Sequence, residues 1–169
     1  MNNLSPNQAL IPVGNEWAIV DKADYDALSQ HRWLKHSKGY AYRSGKDENG
    51  VNKMILMHRQ IMQPAPGLVV DHINHDPLDN TRANLRTCTQ RENMKNRKKV
   101  LEKCGQATSS RFKGVYRYQY KTTVKYKATI WCNGKQKHIG YFKTEVAAAK
   151  AYDKWARKLH GKFAMLNFS

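Results

Sequence analysis

The segment from Leu68 to Lys103 constrains the fold most, because it places a dense run of polar, turn-forming residues between two short apolar runs. "LVVDH" and "NLRTCT" are predicted to be strands. Between them, "INHDPLDNTRA" is rich in Asp, Asn and Pro, which form turns. "TQRE" matches a capping box and predicts a helix from Gln90 to Lys103. We therefore expect a strand, a long loop, a strand and a helix.

Polar groups are expected to converge on this frame. Asp71 and His72 end the first strand, Asn84 begins the second, and Asn93 lies in the first turns of the helix. A compact hairpin packed on a helix can bring the strand end and the helix face together. Carboxylate and carboxamide oxygens suit a hard cation such as Mg²⁺, and an imidazole left off the metal could accept a proton from water. These groups could together hydrolyse a phosphodiester.

The chain before this segment is predicted to form short strands and turns. "EWAIV" at residues 16–20 predicts a strand, and residues 21–28 predict a short helix with Asp21 as N-cap. "KMILMH", which ends at His58, predicts another strand.

The chain after it is predicted to form three strands and a helix. Asn133–Gly134 indicates a two-residue hairpin turn. Thr144 is expected to cap the helix and Gly161 to close it. "CGQATSS" at residues 104–110 suits a linker, so we expect domains at 1–104 and 105–169.

Positive charge is concentrated in the last third of the chain. There are 30 Lys and Arg against 13 Asp and Glu, a formal net charge of +17, and +12 of it lies in residues 105–169. Such a segment attracts phosphate backbones and gains affinity by counterion release. A solvated Lys-rich surface, or one facing an anionic membrane, is the alternative, and no amphipathic basic helix with a large apolar face supports the membrane.

Hydrophobicity and cysteine spacing limit the class of protein further. No apolar run approaches the roughly 20 residues of a membrane span, and the polar start is unlike a signal peptide. We therefore expect an intracellular, cytoplasmic protein that is not secreted. Cys88, Cys104 and Cys132 form neither a CxxC pair nor an even set, so we expect reduced thiols without a metal or redox role.

"LVVDHINHDPLDNTRANLRTCTQREN" resembles the HNH nuclease motif, in the form found in phage and intron-encoded homing endonucleases. The ordered "DH", "NLR" and "EN" carry the resemblance, and "GYAYR" and "ILMHR" extend it over residues 13–97. It implies an α+β fold in which a ββα-metal module, with its core at 68–104, follows short N-terminal strands. It also implies a DNA endonuclease that uses Mg²⁺ or Mn²⁺, located in a bacterial host if the protein is phage-encoded.

The resemblance assigns roles residue by residue. His72 is the general base, and Asp71 and Asn93 are the metal ligands. Asn84 has a catalytic role in which carboxamide-to-backbone hydrogen bonds hold the loop and orient His72. Asn96, one helical turn along, competes with Asn93 as a ligand.

Other polar residues nearby are expected to have structural roles. Asp76, Asp79 and Asn80 should serve the turns, and His75 should face solvent. His58 fits the family pattern, and packing or a phosphate contact explains it equally well.

The basic segment resembles the Apetala/ethylene-response-factor DNA-binding domain over residues 109–168, through "GV", "IGYF", "AAAKAYD" and "LNF". The resemblance implies a three-stranded antiparallel sheet packed on one helix, with the sheet in the major groove of double-stranded DNA. The plant domains have several arginines at these positions, whereas this chain has mostly Lys and Tyr. The base preference of the plant domains is therefore not inherited. The candidate DNA-binding residues are Lys113, Tyr116, Arg117, Tyr118, Lys125, Lys127, Thr129, Trp131, Gln136 and His138, with Arg97 and Lys98 of the preceding predicted helix.

Together these inferences predict a homing-type HNH endonuclease, in which residues 1–104 cut DNA and residues 105–169 supply affinity and address. One alternative is a DNA-binding regulator with an inert nuclease fold, and another is a small RNA-binding protein. The intact Asp71, His72 and Asn93 favour the enzyme. Neither a protein partner nor a membrane is implied.

Overall fold

Small antiparallel sheets and short helices make up the chain, whose structure is a computed structural model that describes residues 4–46, 49–103 and 106–168. The chain divides into two compact units, Met1–Gln90 and Arg91–Ser169. The predicted domain boundary between residues 104 and 105 stays a prediction. No helix in the described part of the chain is long and apolar enough to cross a membrane.

The described residues of the N-terminal unit form three antiparallel sheets and two helices. The sheets are formed by β1 with β2, by β3, β4 and β5 in that order, and by β6 with β7. The elements are β1 (Gln8–Val13), β2 (Glu16–Asp21), α1 (Lys22–Ser29), β3 (Leu34–Lys35), β4 (Ala41–Lys46), β5 (Asn52–Leu56), α2 (Met57–Met62), β6 (Val69–His72) and β7 (Leu85–Cys88).

One apolar cluster joins these elements. Ile11 and Val20 from the first hairpin, Leu28 from α1, and Met57 from α2 are all buried in it. Trp33 is also buried there, and its indole N–H donates to the carbonyl oxygen of Leu28 at 2.8 Å. Val70 and Leu85 bring β6 and β7 into the same cluster, which fixes their hairpin to the rest of the unit.

Two N-terminal predictions are confirmed, whereas the side-chain cap by Asp21 and the strand end at His58 are wrong. The strand at 16–20 corresponds to β2, and α1 begins directly after Asp21. The Asp21 side chain does not cap the helix, because its carboxylate accepts from the backbone N–H of Arg82 at 2.7 Å. The predicted strand ending at His58 stops at Leu56, because Met57, His58 and Ile61 bury one face of α2. Tertiary packing here overrides local β-propensity.

The C-terminal unit is built around a three-stranded sheet and a long helix. Strands β10, β11 and β12 pair in that order, all antiparallel. The elements are α3 (Gln90–Lys95), β8 (Glu102–Lys103), β9 (Gln106–Ala107), β10 (Val115–Tyr120), β11 (Thr123–Cys132), β12 (Lys135–Phe142), α4 (Glu145–His160) and a 3₁₀ helix (Gly161–Phe163).

The hairpin turn and the two helix ends predicted for this sheet and helix are confirmed. Asn133 and Gly134 have φ values of 52° and 74°, as a tight hairpin turn requires. The Thr144 hydroxyl accepts from the backbone N–H of Ala147 at 3.2 Å, and Gly161 is the C-cap of α4. Small buried residues of α4, including Ala148 and Ala149, let the helix lie close to Val115 and Ala128 of the sheet.

The predicted helix from Gln90 to Lys103 is wrong beyond Lys95, where α3 ends. The Lys113 ammonium donates to the carbonyl oxygens of Lys95 and Arg97, both at 2.7 Å, and so satisfies groups that a longer helix would use internally. Lys99 likewise donates to the carbonyl oxygens of two residues near the start of the sheet. Burial lowers the pKa of Lys113 to about 8.

Two of the three cysteines lie in the described part of the chain. Cys88 is buried and Cys132 half-buried, and neither forms a disulfide within the described residues. Cys104 lies outside the described residues.

Replacing Gly114 by Ala should destabilise the C-terminal unit. Gly114 has a φ of +73°, and a Cβ there would overlap the Tyr152 ring and lie 2.6 Å from the carbonyl oxygen of Thr129. We expect a loss of about 2 to 4 kcal/mol in unfolding free energy, from overpacking and left-handed strain. Urea unfolding followed by tryptophan fluorescence measures it.

Gly134→Ala is the matched control. Its φ of +74° is nearly the same, but a Cβ there meets no described atom within 4 Å. It should cost only the backbone strain, about 1 kcal/mol. Equal losses in the two variants would contradict the close approach at Gly114.

Candidate active site

A short hairpin carries the site. In it β6 pairs with β7 so that Asp71 lies opposite Arg86 and His72 opposite Leu85. Asp71 and His72 are 7% and 6% exposed, so both polar side chains are buried. Burial of such groups is costly unless they have polar partners, and the partners found here define the site.

Asp71 is held by an ion pair across the hairpin. The Arg86 guanidinium reaches one carboxylate oxygen of Asp71 through Nε at 2.8 Å and Nη2 at 2.6 Å. Both side chains are largely buried. The ion pair keeps the carboxylate in one orientation at the end of β6.

The loop between β6 and β7 is held by its own side chains. The Asn84 carboxamide accepts from the backbone N–H of Asn74 at 2.9 Å and donates to the carbonyl oxygen of Asp79 at 2.8 Å. These are the carboxamide-to-backbone bonds expected of Asn84 from the sequence. The carboxylate of Asp76 accepts from the backbone N–H of Leu78, and that of Asp79 from the Thr81 hydroxyl, so both aspartates serve turns.

His72 is surrounded by two rings and one carboxamide. Its Nε2 lies 3.3 Å from Oδ1 of Asn80, a residue with no exposed surface. The His58 ring meets the His72 ring edge-on at a centroid distance of 5.1 Å, and the Tyr40 ring lies 5.7 Å away. Burial lowers the pKa of His72, although Asn80 and Asp71 oppose the shift. The imidazole is therefore neutral near pH 7, as a proton acceptor must be.

His58 is the residue that the sequence left open. It is 5% exposed, and its Nδ1 has no hydrogen-bond partner among the described residues. Burial, then the nearby His72 and Arg59, lower its pKa to about 3. Its ring contacts those of Tyr40 and His72, which accounts for a packing role, and a phosphate contact stays a prediction.

The remaining nuclease candidates lie on or after α3. Asn93 is half-buried on α3 and belongs to the C-terminal unit, whereas Asp71, His72 and Asn84 lie together in the N-terminal unit. Asn96 is buried and lies just beyond the end of α3. Arg97 and Lys98 are exposed and follow the helix instead of lying on it.

The donor chemistry fits a hard divalent cation. Among the described residues, no group of three His, Cys, Asp or Glu side chains could hold a metal. The predicted ligands, the carboxylate of Asp71 and the carboxamide of Asn93, belong to different compact units, so their joint binding of a metal stays a prediction. Two protein ligands completed by waters is a common way to bind Mg²⁺. A thiolate- or imidazole-rich site of the kind zinc prefers is not present in the described part of the chain.

Most of the predicted DNA-binding residues share one face of the C-terminal sheet. Val115, Ala128 and Ile130 are buried on the side of α4, so alternate residues point away from it. Tyr116 pairs with Lys127 and Tyr118 with Lys125. We call the side chains on this side the outer face, and its members are Tyr116, Tyr118, Lys125, Lys127, Thr129, Trp131, Gln136, His138 and Tyr141.

Tyr141 was missed by the sequence. The pairing between β11 and β12 shifts between Ala128 and Thr129, leaving Ile139 without a partner. This bulge changes the alternation, so Tyr141 lies opposite Lys127 on the outer face. Its ring is 4.8 Å from that of His138 and 5.1 Å from that of Tyr118. A bulge leaves no signal in a simple period-two pattern.

Three predicted DNA contacts are placed differently. Arg117 alternates with Tyr116 and so lies on the opposite side of β10 from the outer face. Thr129 is on the outer face but only 4% exposed, and its hydroxyl accepts from the Gln136 carboxamide at 3.1 Å. The Lys113 ammonium is half-buried and donates to carbonyl oxygens near the end of α3.

Comparison with known proteins identifies the family. The HNH endonuclease family model matches residues 63–95, which include β6, the loop and β7. An uncharacterized HNH endonuclease of Acanthamoeba polyphaga mimivirus is 31% identical over 159 residues, covering 89% of this chain and 74% of that protein. The chain belongs to the HNH endonuclease family. It is therefore a nuclease, and HNH nucleases generally depend on a divalent metal.

A second similarity is shorter. APETALA2-like protein 2 of Oryza sativa is 43% identical over 61 residues, covering 36% of this chain and 14% of that protein. An AP2-like ethylene-responsive transcription factor of Arabidopsis thaliana is 43% identical over 60 residues, with 36% and 12% covered. No solved structure matches the chain.

Acid should destabilise this HNH endonuclease through His58. The unfolded chain takes up a proton near pH 6.5, whereas folded His58 resists protonation until about pH 3. The unfolding free energy should therefore fall as pH drops below 6.5, by at most about 1.4 kcal/mol per pH unit for this group. Urea unfolding between pH 7 and 5 measures the slope.

His58→Phe keeps an aromatic ring and removes the titrating group, so its slope should be smaller than that of the wild type. A His58→Phe slope equal to the wild-type slope would show that other groups cause the acid sensitivity.

Proposed function

We propose that this HNH endonuclease is a homing-type enzyme that uses Mg²⁺ or Mn²⁺ to cut double-stranded DNA, at sites to which its C-terminal sheet directs it. The observation that carries the proposal is His72, a buried and neutral imidazole next to the ion-paired carboxylate of Asp71. A neutral base beside a fixed oxygen ligand suits hydrolysis of a phosphodiester by water.

In the proposed reaction, His72 accepts a proton from water as the water oxygen bonds to phosphorus. The bond from phosphorus to the 3′ oxygen breaks, and that oxygen takes a proton from solvent, giving a 5′ phosphate and a 3′ hydroxyl. Asp71 and Asn93 would hold the metal, which when bound stabilises charge on the scissile phosphate and the leaving oxygen. Asn84 keeps the loop closed behind His72 through its two backbone hydrogen bonds.

The outer face is the proposed DNA-binding surface. Tyr116, Tyr118, Trp131 and Tyr141 are each at least 40% exposed there. Large exposed aromatic side chains on one face favour a binding role over a merely solvated surface. The partial identity with plant APETALA2-like proteins and the resemblance over residues 109–168 support double-stranded DNA as the ligand.

His72→Ala should abolish cleavage and leave DNA binding nearly intact. Loss of a general base costs about 10² to 10⁴ in rate. Supercoiled plasmid, incubated with and without Mg²⁺ or Mn²⁺, reports open-circle and linear products, and a gel-shift assay reports affinity.

His36→Ala removes a half-buried imidazole from the same unit outside the site and should cut normally. Wild-type rates in His72→Ala would refute the mechanism. No product from the wild-type protein with any divalent metal would refute the enzyme's proposed substrate.

The double variant Lys125→Ala, Lys127→Ala should weaken binding and reduce its salt dependence. Removing one lysine–phosphate interaction lowers the slope of log affinity against log salt by about 0.9, so a decrease of up to about 2 is expected. Lys150→Ala, Lys154→Ala removes the same charge from exposed positions on α4. Equal decreases in both variants would show that net charge, and not the outer face, sets the affinity.

A further inference from the structure

Asn80 lies in the same loop as Asp76 and Asp79, but its carboxamide oxygen has a different neighbour. Asp76 and Asp79 use their carboxylates for local turns, but Asn80 directs its carboxamide oxygen at the imidazole of His72. It has no exposed surface. Burying a carboxamide is costly unless its polar atoms are bonded, so the contact with His72 matters for the site.

The backbone of Asn80 is anchored from outside the loop. Its N–H donates to the carbonyl oxygen of Ile19 at 2.8 Å, and the Ile19 N–H donates to the carbonyl oxygen of Leu78 at 2.8 Å. These bonds join the loop to β2, whose neighbouring residues are in the core. Asn80 is therefore fixed to the body of the N-terminal unit and is not free to follow local loop movement.

The orientation of the carboxamide follows from its other contact. Nδ2 of Asn80 donates to the carbonyl oxygen of Pro77 at 3.4 Å, which is a weak bond. The reverse orientation would set two carbonyl oxygens against each other. Oδ1 therefore faces Nε2 of His72, and an oxygen of this kind can only accept a hydrogen bond.

The His72 ring is held in its plane by the surrounding aromatic side chains. The His58 ring meets it at an interplanar angle of 85°, and the Tyr40 ring is tilted against it by 34°. These contacts limit rotation of the ring away from Asn80. They do not choose which ring nitrogen carries the hydrogen.

We infer that Asn80 is a positioning residue of the cleavage reaction, whose carboxamide oxygen keeps the hydrogen of neutral His72 on Nε2 and so assigns proton acceptance to Nδ1. A neutral imidazole has one N–H and one lone pair, so fixing the hydrogen on one nitrogen fixes the basic atom. When water attacks, its proton passes to Nδ1, and the imidazolium keeps its Nε2–H bond to Asn80. The inference rests on the proposed role of His72 as general base.

The test compares three variants of the full chain. Asn80→Leu keeps the approximate shape and removes the acceptor, whereas Asn80→Asp keeps an acceptor oxygen. Thr81→Val is the matched control, because Thr81 is buried in the same loop and bonds Asp79. Single-turnover cleavage, DNA affinity and long-range proton–nitrogen correlation of the His72 ring are measured for each.

We expect the wild-type ring to carry its hydrogen on Nε2. Asn80→Leu should lose this preference and cut about 10- to 100-fold more slowly at saturating enzyme, with DNA affinity unchanged. Asn80→Asp should keep the hydrogen on Nε2 and regain rate only as the pH rises, because its carboxylate also favours the charged form of His72. Thr81→Val should keep both.

Three outcomes would overturn the inference: a wild-type ring protonated on Nδ1, a wild-type rate in Asn80→Leu, or an equal loss in Thr81→Val. If Asn80→Leu does not fold, the wild-type ring and Asn80→Asp still decide the tautomer. If the wild type cuts no DNA, the proposed function fails. The ring measurement still decides whether Asn80 keeps the hydrogen of His72 on Nε2.

Discussion

The ion pair between Asp71 and Arg86 is the interaction on which the candidate active site depends. β6 and β7 have four residues each, and a pairing slip by one residue would exchange the faces of Asp71 and His72. Arg86 lies directly opposite Asp71, so any other register would leave a buried carboxylate without its partner. Buried ion pairs add little net stability, but losing one partner is strongly unfavourable. The pair therefore specifies the register, and through it the place of His72.

Once the register is fixed, burial determines the chemistry of His72. The imidazole is enclosed by His58 and Tyr40, and desolvation disfavours its charged form. The neighbouring His58 shares this environment with a pKa of about 3, so it adds no positive charge near neutral pH. A cation there would repel both a protonated His72 and a metal. A second imidazole that stays neutral supports the ring without competing with it electrostatically.

Local signals predicted most elements, and contacts between distant residues account for the errors. The turn at Asn133–Gly134, the Thr144 cap and the strand–loop–strand frame around Asp71 follow from short-range chemistry. The end of α3 depends on Lys113, eighteen residues beyond Lys95 in the chain, and a pattern confined to the helix cannot contain it. The turn role expected of Asn80 is present in its bond to Pro77, but the sequence does not show that its carboxamide oxygen would also face His72.

The net charge of residues 105–169 overstates the number of cations on the outer face. Residues 105–169 contain 14 Lys and Arg, but Lys113 is bonded to carbonyl oxygens, and the outer-face strands contribute Lys125 and Lys127. Exposed rings, among them Trp131 at 62% and Tyr141 at 47%, make up much of that face. Under the proposed function, cations elsewhere on the unit attract DNA at long range, where salt screens them. The rings act only on contact, so discrimination among DNA sites should depend on them more than on the net charge.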